Sequence, residues 1–147
     1  MKIAVGSDHA GFESPEPFYK PEIVQFIQSL GHEVVDCGPD SPDPVDYPDY
    51  GQKVAQAILS GDADRGVLLC GTGIGISIAA NRHKGIRAAV CVNPEMAQLS
   101  REHNDANIIC LGKRLLNLDE CKQLIQIWLD TAFSGQERHQ RRVDKLC

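Results

Sequence analysis

A cysteine opens a glycine-rich turn in Cys70-Gly71-Thr72-Gly73-Ile74-Gly75-Ile76-Ser77, where a run of apolar residues gives way to a helical pattern. Alternating glycines let the backbone come close to a ligand and turn its N–H groups inward. The start of the following helix adds about half a positive charge. The stretch is not a P-loop, because Gly-Lys-Ser/Thr is missing, and it is not the dinucleotide fingerprint, because its third glycine comes one residue early and it follows the third strand. A phosphatase Cys-x5-Arg loop is excluded as well, since Ile76 stands where the arginine would be. What is left is a thiol beside an anion-stabilising nest, a setting that favours the thiolate in general. The same spacing also fits a packed core cysteine at a strand end.

Three further groups carry polar chemistry. Ser7-Asp8-His9 follows the first apolar run. It reads either as a helix-capping turn or as a carboxylate and an imidazole aimed at sugar hydroxyls and a phosphate. His103-Asn104-Asp105 ends a helical pattern. There the histidine offsets the helix dipole or serves as a general acid–base aimed at the site, with the amide of Asn104 beside it. Arg114 follows the fifth apolar run, and Arg138 and Arg142 lie four apart, on one face of the tail if it is helical. A solvated helix face accounts for such a pair, and so does a guanidinium fork for phosphate. The tail is far enough along the chain for a neighbouring subunit to receive it.

The elements that must position these groups alternate. Strands are expected over 2–6, 33–37, 66–70, 87–92 and 107–111, and helices over 21–30, 49–59, 74–81, 94–102 and 118–133. A short segment follows Gly135. Five strands, each followed by a helix, predict one α/β domain over 1–147, a doubly wound, three-layer αβα arrangement around a parallel sheet. The flavodoxin-like order 2-1-3-4-5 is expected. That order makes strands 1 and 3 neighbours at the switch point, so the turns 6–11 and 70–77 face one crevice.

Composition supports a compact globule: 147 residues, 42% apolar, with a net charge of −5. With 15 basic against 20 acidic residues no global basic field exists, which argues against nucleic acid as a partner. No apolar run approaches the roughly 20 residues that span a bilayer. The N-terminal segment enters a strand and a glycine turn at once, so a cytoplasmic protein is expected. Cys37, Cys70, Cys91, Cys110, Cys121 and Cys147 include no C-x-x-C pair, which predicts reduced thiols and disfavours a thiol redox protein or a metal site.

Taken together, GSDHAG, VDYP, CGTGIGISIAANR, LSREHNDANII, GKR and RHQRRV, in this order, resemble the ribose-5-phosphate isomerase B family, which includes the galactose-6-phosphate isomerase subunits. The resemblance runs over nearly the whole chain. It implies an aldose–ketose isomerase of the pentose phosphate pathway without metal or cofactor, a homodimer or tetramer with sites shared between subunits. By position, Cys70 is the base that moves a proton between C1 and C2 of ribose 5-phosphate and ribulose 5-phosphate. The N–H groups of Gly71, Gly73 and Gly75 hold the enediolate oxygens, and Thr72 assists the proton shuttle. His103 opens the furanose ring, Asp8 and Asn104 bind hydroxyls, and Tyr47 packs near the ring. His9 and Arg114, with Arg138 and Arg142 from the partner's 134–147 arm, bind the phosphate.

One departure stands out. ESPEPFYK (13–20) makes the chain several residues longer here than the family usually is, and Pro15, Pro17 and Pro21 argue against a regular helix before Pro21. This is expected to be a surface insertion beside His9 that reshapes the entrance. Two other readings remain at this stage: an isomerase of a six-carbon sugar phosphate such as allose or galactose 6-phosphate, and a non-catalytic sugar-phosphate or nucleotide sensor on the same fold.

Overall fold

A computed structural model describes residues 1–146. Cys147, one of the six thiols considered above, lies outside them. The strands are β1 (Lys2–Ser7), β2 (Glu33–Asp36), β3 (Arg65–Cys70), β4 (Ala88–Val90) and β5 (Ile108–Gly112). The helices are α1 (Tyr19–Ser29), α2 (Tyr47–Leu59), α3 (Ile74–Ala80), α4 (Pro94–Glu102), α5 (Leu118–Asp130) and α6 (Glu137–Asp144). A 3-10 turn over His9–Phe12 follows β1. Helix α1 begins two residues before the expected Pro21, which occupies its third position. An N–H there has no intrahelical partner in any case, so proline is tolerated.

All strand pairs are parallel, and β1 lies between β2 and β3 as expected. The far side of the sheet corrects the expectation: the order is β2-β1-β3-β5-β4, with β5 inside and β4 at the edge. Composition explains the exchange. IICLG of β5 is buried at all five positions, whereas β4 has three residues, all half-buried. An apolar run buried on both faces belongs inside a parallel sheet, and a short strand is the safer edge.

Strand alternation divides the core in two. Ile3, Val5, Val67, Leu69, Ile109 and Leu111 pack with Ile23, Ile27, Leu124, Ile125 and Trp128 of α1 and α5. On the other face Ala4, Leu68, Cys70, Ile108 and Cys110 meet Val54 and Ala55 of α2 and Ile76 and Ala80 of α3. The carboxyl ends of β1 and β3 therefore stand side by side, with Ser7 paired to Leu69. That edge is where open α/β sheets hold ligands.

Candidate active site

Alternation decides where Cys70 points. It shares a face with Leu68, under α2 and α3, and it is 4% exposed at the last position of β3. The Gly73 N–H donates to its Sγ at 3.1 Å. Gly73 caps α3 in the left-handed region, at φ 77°, and a Cβ there would stand 3.1 Å from the Leu111 backbone. Glycine is thus required at this position on both counts. Thr72 Oγ1 accepts from the Ile74 N–H at 3.2 Å. The N–H groups of Gly71 and Gly75 bond to nothing among the described residues. They are the free donors of the nest.

The turn after β1 borders the same loop, because the Asp8 N–H donates to the Leu69 carbonyl at 3.1 Å. Asp8 Oδ1 accepts from the Ala10 N–H at 2.8 Å, the capping geometry. Burial raises the pKa of this carboxyl, against the opposing pull of that bond and of His9. His9 Nδ1 stands 3.3 Å from both the N–H and the carbonyl of Val45. Asp8, His9, Val45 and Tyr47 line a cleft of ≈ 630 Å³. The Tyr47 ring lies over Gly75, within 2.7 Å of where a Cβ would be, so the missing side chain admits the ring.

Arg114 closes the group. Its N–H donates to the Gly71 carbonyl at 2.9 Å, and its guanidinium lies over Gly71, with Nη1 3.2 Å from the position of a Cβ. Two residues not singled out in the sequence join it. Glu13 pairs with Arg114 at 2.8 Å and with Lys113 at 3.7 Å. The hydrogen bond from Arg114 lowers the Glu13 pKa. Glu13 lies in the insertion, where no motif marks it, and its arginine is 101 positions away.

His103, Asn104, Arg138 and Arg142 are not in this crevice within one chain. Asn104 lies at the other edge of the sheet. Arg87 Nε donates to its carbonyl at 3.1 Å just before β4, and the adjoining Asn107 carbonyl accepts from the Gly66 N–H near the start of β3. The run from Asn107 to Gly112, which pairs with Cys70, covers roughly 16 Å at strand rise. A helix following a strand runs back along the sheet, so the end of α4 had to fall at that edge.

The second cluster has its own order. The His103 ring packs on that of His139 with centroids 4.3 Å apart. His139 is buried, with Nδ1 2.7 Å from Ser134 Oγ. Burial, and after it His103, Arg138 and Arg142, lower its pKa. The Ser134 N–H donates to the Glu102 carbonyl at 3.1 Å, which fixes α6 to the end of α4. Arg138 and Arg142 are exposed and pair with no carboxylate among the described residues. His139, between the two arginines in the sequence, was not anticipated. Among the described residues no group of three or more His, Cys, Asp or Glu side chains could hold a metal ion.

A family model described as Ribose/Galactose Isomerase matches residues 3–146. The chain belongs to that family. It is 47% identical over 145 residues to ribose-5-phosphate isomerase B of Escherichia coli, covering 99% of this chain and 93% of that one. Its identity to ribose-5-phosphate isomerase B of Mycolicibacterium paratuberculosis is 38% over 148 residues, covering 100% and 90%. Among solved structures, ribose-5-phosphate isomerase B of Clostridium thermocellum superposes with a TM-score of 0.93 at 52% identity, covering 99% and 95%. The type B enzyme of Trypanosoma brucei superposes with a TM-score of 0.92 at 44% identity, covering 99% and 95%. Both polar clusters fall inside the residues matched to the Ribose/Galactose Isomerase family.

Proposed function

We propose that the chain is an aldose–ketose isomerase, needing neither metal nor cofactor, that interconverts ribose 5-phosphate and ribulose 5-phosphate. The observation that carries this reading is the thiol of Cys70 set in a loop whose Gly71 and Gly75 N–H groups are free, with Asp8 and Arg114 beside it. A base next to preorganised donors suits enediolate chemistry. As thiolate, Cys70 takes the proton from C2 of the open-chain aldose and returns it to C1. One hydroxyl proton moves from O2 to O1, and Thr72 assists that shuttle. The developing oxyanion is held by the backbone N–H groups. Asp8 and Tyr47 orient the sugar, while His9 and Arg114 hold the remote phosphate, whose binding fixes the reacting carbons.

Within one chain this set lacks a group to open the sugar ring. In this proposal a second copy supplies it: His103 and Asn104 reach the crevice of the neighbour, and Arg138 and Arg142 on the 134–147 arm complete its phosphate site. Supporting this, the two arginines are exposed without carboxylate partners among the described residues, on the edge opposite Cys70. Ile74 and Ile78, four apart on α3 and each 53% exposed, also leave an apolar stripe beside the Cys70 loop. A cytoplasmic location is part of the same reading, supported by five unpaired cysteines among the described residues.

The test is a coupled assay of the purified protein with ribose 5-phosphate, ribulose 5-phosphate and allose 6-phosphate, without added metal or nucleotide. Turnover of the two pentose phosphates is expected. Turnover of allose 6-phosphate alone would move the assignment to six-carbon sugars, and no turnover of any of the three would reject the isomerase.

A further inference from the structure

The insertion puts a carboxylate where this reading puts a phosphate. Glu13 follows the 3-10 turn directly, its N–H donating to the Ala10 carbonyl at 3.3 Å. One carboxylate oxygen meets Arg114 Nη2 at 2.8 Å and the other meets Lys113 Nζ at 3.7 Å. A single side chain thus occupies both cations at the mouth of the crevice. With Asp8 alongside, two carboxylates face two cations and His9, so an arriving dianion meets little net positive field. From this we infer that Glu13 is a displaceable internal counter-ion that a substrate phosphate must replace on Arg114.

The inference rests on the proposed role of Arg114, and three observations make the exchange feasible. The Arg114 side chain is 62% exposed and that of Glu13 29%, so the pair is hydrated and weak. Arg114 does not depend on Glu13 for its position, because its N–H is anchored on the Gly71 carbonyl and its guanidinium lies over Gly71. The segment behind Glu13, residues 14–17, is exposed throughout, and its bond to the body is one of 3.5 Å from Lys113 Nζ to the Ser14 carbonyl. When a phosphate dianion takes the guanidinium fork, which matches both anions, the carboxylate turns outward to water. The consequence is a threshold. Any anion meets the same displacement penalty, so all affinities fall by a similar factor, and a phosphate dianion, with two charges' worth of attraction, still binds where a weaker, singly charged ligand no longer does.

Binding of inorganic phosphate, measured by calorimetry at neutral pH and low salt, tests this without recourse to turnover. Glu13→Gln is expected to bind phosphate about three- to fivefold more tightly than the unaltered chain, the range an exposed ion pair allows. The gain should fade at high ionic strength. Arg114→Met is expected to weaken binding. If Arg114→Met weakens binding while Glu13→Gln leaves it unchanged or lowers it, the counter-ion is rejected and Arg114 keeps its role. If Arg114→Met binds as the unaltered chain does, Arg114 is not the phosphate ligand and the inference falls with it. Thermal melts of both variants establish that the fold is retained.

Discussion

Three thiols in this chain differ by their surroundings rather than by their type. Cys91 and Cys121 lie in apolar packing, where burial pushes their pKa values up to about 11 and about 12. Cys70 ends its strand at a loop whose Gly73 N–H already points at the sulfur. If that sulfur is the base, Cys70→Ala should fold and melt as the unaltered chain does. Its kcat should fall at least about a hundredfold, with KM little changed. Near-normal turnover in the coupled assay would remove the cysteine from the mechanism. The geometry of this turn was legible from its residues, since the glycines stand where an apolar run gives way to a helical pattern. Glu13 was not, because an ion pair across 101 positions leaves no local pattern.

At the scale of elements, the joint between β5 and the loop after β3 carries the candidate site. A Cβ on Gly112 would stand 2.7 Å from the Thr72 backbone, with no flexible side chain to give way. Gly112→Ala is therefore expected to destabilise the fold by about 1–3 kcal/mol and to lower activity beyond that, as seen by denaturant melts run beside kcat. The α6 arm is tied to pH. His139 ordinarily takes up a proton near 6.5, and in the fold only at a lower pH. Between those values the unfolded chain binds more protons, so stability falls as the pH is lowered through that window. A melting temperature that drops with acidity, and drops less in His139→Gln, checks this. Element types followed from periodicity, and the neighbours β1 and β3 from the expected crossover order. The order of β4 and β5 did not, although their apolar content held the clue.

At the scale of the molecule, one sheet separates two sets of polar groups, Cys70 at one edge and His103 at the other. A pair closed about a twofold axis repeats every cross-chain contact. Cys70→Ala mixed with His103→Ala should then regain about a quarter of full activity once copies exchange, because half the pairs are mixed and each of those has one intact crevice. Exchange shown by mass spectrometry with no recovery would place both groups in one chain's site. Chain order could not reveal this division, since residues far apart in sequence are free to meet within a copy or between copies.

The length of the strands carries a physiological corollary of the proposed shared site. On that proposal a correctly folded lone copy would be silent, so output per molecule would climb with expression until association saturates. Dilution would then work as a brake that needs no effector, visible as a rate that declines with time after a concentrated stock is dispersed into assay buffer.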